Sequence, residues 1–216
     1  MSGQRKVAMV VAEFVGSFVL ASAMMSMLVR TNFAFFTAVA AAVVYGVMYL
    51  MLGSTSGSHL NPAVTIGLWT VRKVATTTAV VYIVAQMLGG LVAWKLGEYF
   101  LNQTLNKIAT GGVDWRVLVA EGVGTLVFCF GLAAVALKDS DTNRYALVAG
   151  LSLLAGVMVA SLGANGLLNP AVDLAVRSWS WAYVVGPIVG AVVGMNLYSL
   201  FFTPSVFGSK PTRSKK

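Results

Sequence analysis

The chain has 216 residues, of which 58% are apolar and 10% are charged, and its mean hydropathy is +0.82. An ordinary soluble domain is about 45–50% apolar and about 25% charged. The composition of this chain therefore excludes a soluble domain and indicates a protein surrounded by lipid. The net charge of +8 does not indicate nucleic-acid binding. The basic residues lie at the edges of apolar runs and in the tail, where they would set membrane topology and contact lipid headgroups.

Six apolar runs are long enough to cross a bilayer, which takes about 20 residues in a helix. They predict an all-α membrane protein with six transmembrane helices. The runs lie near Val7–Val29, Phe33–Gly53, Thr77–Gly97, Val117–Leu137, Ala146–Gly163 and Trp181–Phe202. The first run is much longer than the roughly 7–15 apolar residues of a signal peptide, so we interpret it as a retained span.

The distribution of Lys and Arg predicts the orientation. Six spans place both termini on one side of the membrane, together with the connections after the second and fourth spans. That side carries ten of the 15 basic residues and the other side five. The positive-inside rule therefore predicts cytoplasmic termini, in an integral protein of the cell or plasma membrane with a polar, basic tail at 209–216.

A short motif between the second and third spans does not fit a simple span. The stretch Gly53–Ser58 is rich in Gly, Ser and Thr and cannot continue a helix cheaply. Asn61 is a favoured N-cap, and Pro62 suits the first helical position. The apolar stretch Ala63–Val71 is too short to span, so it predicts a half-helix that dips to the midplane. Irregular backbone at that depth must be buried in protein or line a wet cavity.

The same pattern returns 108 residues later. Leu168–Val172 repeats the core of the motif, with a second half-helix predicted over Ala171–Val176, and Val119–Thr125 repeats Val11–Ser17 at the same offset. Two matches at one offset indicate an internal duplication. We therefore expect a single channel domain made of repeat 1 over 1–108 and repeat 2 over 109–208. Three spans in each half would invert the second half relative to the first, which is typical of transport proteins.

The chemistry of the two motifs predicts a pore for neutral solutes. Two helix N-termini that meet at the midplane each present roughly half a positive charge, which repels cations and hydrated protons. The amides of Asn61 and Asn169 can donate hydrogen bonds to a passing oxygen, and backbone carbonyls of the loops can accept them. The loop residues expected to line the path are Gly57, Ser58, His59, Leu60, Asn165, Leu167 and Leu168.

The chain resembles the aquaporin, or major intrinsic protein, family. The resemblance rests on the two motifs Asn61-Pro62-Ala63 and Asn169-Pro170-Ala171, with Ala12-Glu13-Phe14, Gln86 followed by Gly89-Gly90, and Gly186-Pro187. It covers nearly the whole chain. It implies a right-handed bundle of six transmembrane helices and two re-entrant half-helices, assembly as a homotetramer, and passive transport with no enzymatic chemistry, cofactor or metal.

One position departs from that family. An arginine nearly always follows the second motif there, whereas this chain has Val172. The family's spacing places the other constriction residues at Ala41, Val157 and Gly166, with Tyr45 in place of Ala41 if the second span slips by one turn. Such a ring would be wide, apolar and uncharged. We therefore expect a channel for water and small uncharged solutes such as glycerol. The alternative is a strict water channel narrowed by Tyr45.

Three further positions give mixed indications. Asp173 and Arg177 match the glycerol-conducting branch of the family, whereas Tyr183 is closer to the water-channel pattern. Arg177 would either stand in for the missing constriction charge or pair with Asp173 at helical spacing.

Three ionisable residues lie within or beside the spans. Glu13 and Glu121 would be either proton relays, as in an alternating-access transporter, or supports that accept hydrogen bonds from the re-entrant loops. The resemblance favours the supporting role. His59 is either a proton sensor or, as we favour, a hydrogen-bonded fixture whose carbonyl faces the pore. Besides a passive channel and an alternating-access transporter, the third possible class of function is a structural membrane protein with a closed pore.

Overall fold

The computed structural model describes residues 2–31, 33–107 and 113–203. The described residues form eight α-helices and no strands, and six of the helices are long and apolar enough to cross a membrane. The helices are α1 (Gly3–Arg30), α2 (Ala34–Ser56), α3 (Pro62–Thr70), α4 (Thr76–Leu101), α5 (Trp115–Ala136), α6 (Thr142–Ala160), α7 (Pro170–Ala175) and α8 (Trp181–Phe202). The all-α class and the six spans are confirmed.

Most long helices extend beyond the predicted apolar runs. Ser2 caps α1 through a bond from the Arg5 amide to its hydroxyl, and Asp141 caps α6 by accepting a bond from the Arg144 amide at 3.0 Å. Hydropathy marks the part of a helix that lies in lipid, whereas polar N-caps decide where the helix begins. For this reason α1 and α6 each start four residues before the run that predicted them.

The predicted break at Gly53 is wrong. Helix α2 continues to Ser56 and ends at Gly57, whose φ of 89° is left-handed and suits glycine. The Gly57 amide donates to the Gly53 carbonyl at 2.9 Å and closes the last turn. Glycine and serine are costly inside an exposed helix, but here the last turn is held by tertiary contacts of Ser56.

The two halves have the same order of helices: two long, one short and one long. Helix α1 packs against α2 and α4, and α5 packs against α6 and α8. The halves join where α2 packs on α6 and where each short helix reaches the other half, α3 against α8 and α7 against α4. A Cβ atom on Gly90 would overlap the Ala171 carbonyl, so glycine is required for α4 to approach α7 this closely.

The short helices begin at equivalent prolines, Pro62 and Pro170, which lie 108 positions apart. At 1.5 Å per residue, the 9 residues of α3 and the 6 of α7 are far shorter than the roughly 30 Å of a bilayer core. The repeat boundary near 108 and the tail at 209–216 lie outside the described residues. The duplication and its inverted orientation stay predictions.

Candidate functional site at the paired asparagines

Asn61 and Asn169 are the N-caps of the two short helices. Each has an extended backbone, with φ of −158° and −154°, and each is followed by proline. The Asn61 Oδ1 accepts a hydrogen bond from the Ala63 amide at 2.8 Å, and the Asn169 Oδ1 accepts one from the Ala171 amide at 2.9 Å. Both side chains are thereby fixed with the oxygen toward the helix and the nitrogen away from it.

The two asparagines join the halves of the molecule. Asn61 Nδ2 donates to the carbonyl of Leu168 at 2.9 Å, and Asn169 Nδ2 donates to the carbonyl of Leu60, also at 2.9 Å. The positive ends of two helix dipoles therefore meet within the bundle. A side-chain amide nitrogen carries two hydrogens, so each asparagine keeps one donor beyond this bridge.

The residues before each asparagine have a strained backbone. Leu60 and Leu168 adopt the left-handed region with φ of 53° and 55°, and Ser58 does so with φ of 44°. Residues other than glycine occupy this region at a cost of about 1–3 kcal/mol each, so the surrounding structure must hold them in place.

Glu13 holds the first loop. Its side chain is 0% exposed and accepts four hydrogen bonds. The backbone amides of His59 and Leu60 donate at 2.9 and 2.8 Å, and the Ser56 hydroxyl and the Gln86 amide each donate at 2.7 Å. A carboxyl group with this many donors is fully hydrogen-bonded, which fits the supporting role.

Glu121 holds the second loop with fewer bonds. It is also 0% exposed, and it accepts from the backbone amides of Leu167 at 3.0 Å and Leu168 at 2.7 Å. Asn165, further up the loop, donates its amide to the Tyr183 hydroxyl at 3.3 Å. The two carboxylates thus contact equivalent pairs of backbone amides.

Thr65 and Tyr82, which surround Glu13 together with Gln86 and His59, were not predicted as site residues. Thr65 Oγ1 accepts from Gln86 Nε2 at 2.9 Å and lies 3.2 Å from His59 Nδ1, and the Tyr82 hydroxyl donates to the Ser56 carbonyl at 2.9 Å. The available signal was the presence of polar residues inside apolar spans, which are hydrogen-bonded when buried. Spacing along the sequence does not reveal which of them meet.

The predicted constriction residues lie in the core. Ala41, Val157 and Val172 are all 0% exposed. Gly166 lies against Val157, because a Cβ atom added to it would be 2.8 Å from the Val157 carbonyl oxygen. Side chains around a wide, water-filled ring would keep some exposed surface, so this conformation lends no support to a wide ring, which stays a prediction.

Tyr45 contacts the first loop. Its side chain is 1% exposed, and its hydroxyl donates to the His59 carbonyl at 3.2 Å. The ring packs edge to face on Phe128 of α5, with 5.5 Å between centroids. One carbonyl that was expected to face the pore is therefore engaged by a tyrosine from α2.

The predicted pairing of Arg177 with Asp173 is wrong. Arg177 donates to the Leu105 carbonyl and lies over the Trp94 ring, with its Cζ 5.1 Å from the centroid. Helix α7 ends at Ala175, and Arg177 has φ of 59°, so the two residues do not share a helix face. Asp173 is 0% exposed and its carboxylate has no hydrogen-bond partner among the described residues.

Comparison with known proteins identifies the family. The family model for the major intrinsic protein matches residues 2–198. The chain belongs to the major intrinsic protein family. It is 32% identical over 174 residues to aquaporin AqpM of Methanothermobacter marburgensis, covering 68% of each chain. It is 29% identical over 178 residues to aquaporin Z of Photorhabdus laumondii, covering 72% of this chain and 77% of the relative.

A solved structure has the same fold. The X-ray structure of the aquaglyceroporin from Plasmodium falciparum matches with a TM-score of 0.77 and 22% identity, covering 92% of this chain and 98% of that one. The predicted aquaporin-like fold is confirmed. As a member of the major intrinsic protein family, the chain is an integral membrane channel for water and small solutes, and not an enzyme.

Proposed function

We propose that this channel passively conducts water and small uncharged solutes such as glycerol and excludes ions. The observation that carries the proposal is the mutual bridge of Asn61 to Leu168 and of Asn169 to Leu60. The bridge sets two helix N-termini against each other, so a cation would meet two partial positive charges at the point where it must lose water. The hydroxyl of a neutral solute can instead accept hydrogen bonds from the remaining side-chain N–H groups of the two asparagines.

Relaxed selectivity is the finer part of the proposal. The ring proposed for the constriction, Ala41, Val157, Gly166 and Val172, carries no charge and no side-chain donor. Without such a donor, a solute's hydroxyl gains no special contact there, and water has no advantage over a small alcohol. The second candidate is a water-only channel, and the bond from Tyr45 to the His59 carbonyl favours it.

The test is permeability in liposomes that contain the purified protein. Stopped-flow light scattering should show fast shrinkage against an impermeant osmolyte, and fast re-swelling when glycerol is the osmolyte. Shrinkage without re-swelling would support the water-only candidate. Water flux no higher than in empty liposomes would contradict an open channel and leave the closed, structural class.

A substitution tests the ring itself. Val172→Arg should lower glycerol flux more than water flux, because it adds bulk and charge at the position where the family has arginine. Val172→Leu, which adds bulk at the same position without charge, is the matched control and should change the ratio less. An unchanged ratio of glycerol to water flux in Val172→Arg would show that the constriction lies elsewhere.

Assembly and orientation are also proposals. We propose a homotetramer, as the family implies, with both termini in the cytoplasm, as the excess of Lys and Arg on that side implies. Chemical crosslinking in membranes tests the first proposal and protease access to the tail tests the second. Alternating access is a weaker alternative, because Glu13 already accepts four hydrogen bonds. Uphill uptake driven by a pH or sodium gradient would support it.

A further inference from the structure

Two tyrosines from different halves form a stacked pair. Tyr49 of α2 and Tyr145 of α6 lie face to face, with 3.8 Å between ring centroids and an interplanar angle of 5°. Both side chains are partly exposed. Tyr145 lies in the first turn of α6, and Tyr49 lies two turns before the end of α2. The pair is therefore near the side of the bundle at which α1 begins, which we call the N-terminal side.

The contacts between α2 and α6 support this placement. A Cβ atom on Gly46 would lie 3.2 Å from the Ala146 carbonyl oxygen, and one on Gly150 would lie 2.7 Å from the Ala42 carbonyl oxygen. The positions run in opposite directions along the two helices, so α2 and α6 are antiparallel. The end of α2 and the start of α6 consequently share the N-terminal side, where the first loop also begins.

The stacked pair faces the interior of the bundle. The outward face of α2 and α6 forms an apolar groove of about 390 Å³ in which Val43 and Leu147 are 59% and 62% exposed. Tyr145 lies two positions from Leu147, about 200° around the helix at 3.6 residues per turn, and so on the opposite face. Tyr49 follows Tyr45, which is buried, by four residues and shares its face.

Aromatic side chains continue from this pair to the first loop. Tyr45 lies one turn deeper than Tyr49 and is only 1% exposed. Its hydroxyl reaches the His59 carbonyl at 3.2 Å, and Phe128 packs against its ring. Tyr49 and Tyr145 thus keep some exposed surface, whereas Tyr45, whose hydroxyl contacts the loop that leads to Asn61, keeps almost none.

The predicted duplication gives an independent reason to expect a constriction here. The offset of 108 relates Val157 of the apolar ring to Tyr49, Val172 to Val64, Gly166 to Ser58, and Ala41 to Ala149. The N-terminal side would thus carry a second ring, in which a tyrosine stands where the apolar ring has a valine. A phenol ring is longer and stiffer than an isopropyl group, so the duplication predicts that the second ring is the narrower of the two.

We propose that Tyr49, Tyr145 and Tyr45 form the size filter of this channel and set the largest neutral solute that passes. The inference rests on the proposed function, since it concerns the selectivity of the same path. Rigid rings limit the cross-section, while the phenol hydroxyls can exchange hydrogen bonds with the hydroxyls of a polyol. The filter would then act before a solute reaches the paired asparagines.

Liposome permeability tests the filter with solutes of increasing size: water, glycerol and the five-carbon polyol xylitol. Tyr49→Leu and Tyr145→Leu should each raise the ratio of xylitol to water permeability by about tenfold, the order of discrimination that a small change in an apolar pocket gives. Tyr198→Leu is the matched control, because Tyr198 stacks on Phe202 at the end of α8, with 5.2 Å between centroids. Its ratio should equal that of the unsubstituted protein.

The outcomes separate the filter from the channel itself. If the unsubstituted protein conducts water but the ratio of xylitol to water permeability is unchanged in both tyrosine variants, the proposed filter is overturned while the proposed channel function stands. A larger rise in Val157→Ala than in the tyrosine variants would also overturn it, because the apolar ring would then be limiting. No water flux in any sample would overturn the proposed function and the filter with it.

A thiol-labelling experiment gives a second readout, which blocks the path at Tyr49 and does not depend on widening it. The native Cys129 is 0% exposed and should not react. Tyr49→Cys should react with a charged methanethiosulfonate reagent, and its water flux should then fall while that of the unsubstituted protein does not change. Full labelling, shown by mass spectrometry, with unchanged flux would place Tyr49 away from the path and overturn the inference.

Discussion

The two loops that carry the asparagines share one backbone arrangement but differ in their side-chain surroundings. In each loop a buried glutamate accepts hydrogen bonds from the backbone amides of the two residues that precede the asparagine. In the first loop, side chains add further bonds to the carboxylate and to the loop. In the second loop, the residues at the equivalent positions, 108 further along the chain, have side chains that cannot make these additional bonds. Ser56, His59 and Gln86 correspond to Ala164, Leu167 and Gly194.

The difference shows which contacts the pore geometry needs. The contacts common to both loops are the carboxylate, the two amides and the asparagine bridge, and they suffice to hold Leu168 in the same left-handed conformation as Leu60. The hydroxyl, imidazole and amide groups around Glu13 are additional. The first loop should therefore be the more stable of the two, and its glutamate the more costly to change.

The largest effect is expected at the glutamates. Glu13→Gln replaces an acceptor oxygen by an amide that faces donors, so the free energy of unfolding should fall by about 3 kcal/mol. Glu121→Gln disturbs two bonds instead of four and should cost about half as much. Unfolding of the detergent-solubilised protein, followed by tryptophan fluorescence, measures both. Equal losses would mean that the side chains around Glu13 add no stability.

A second pair of substitutions compares Thr65 with Asp173, which are related by the same offset. Thr65 Oγ1 donates to the Asn61 carbonyl at 3.0 Å and contacts Gln86 and His59. Thr65→Ala should therefore lower the free energy of unfolding by about 1–2 kcal/mol.

Asp173→Ala should be neutral or stabilising, by up to about 1 kcal/mol, because the buried carboxylate has no partner among the described residues. The same unfolding measurement applies, with water permeability as the check that both variants are folded. A greater loss in Asp173→Ala than in Thr65→Ala would reveal a bonding partner of Asp173 and reverse the comparison of the two loops.

The helices and the asparagine motifs could be predicted because their signals are local. Apolar runs of bilayer length predict spans, and Asn followed by Pro predicts the first turn of a helix. The predicted pairing of Arg177 with Asp173 failed for a reason that is also local, since α7 ends before Arg177 and the two residues do not share a helix face. The stack of Tyr49 on Tyr145 joins helices that are far apart in the sequence, and no local pattern encodes such a contact.

The smallest effect is expected at His59, where the second loop has Leu167. The imidazole shares one hydrogen bond with Thr65 and packs edge to face on Tyr82, with 5.2 Å between centroids, and the His59 carbonyl accepts its bond from Tyr45 through the backbone, which leucine would keep. His59→Leu should therefore lower the free energy of unfolding by about 1 kcal/mol or less. Water permeability should stay unchanged and independent of pH between about 5.5 and 7.5, the range in which a free histidine titrates. A pH-dependent flux that disappears in His59→Leu would instead make the first loop a proton sensor, a property that the second loop, with leucine at this position, lacks.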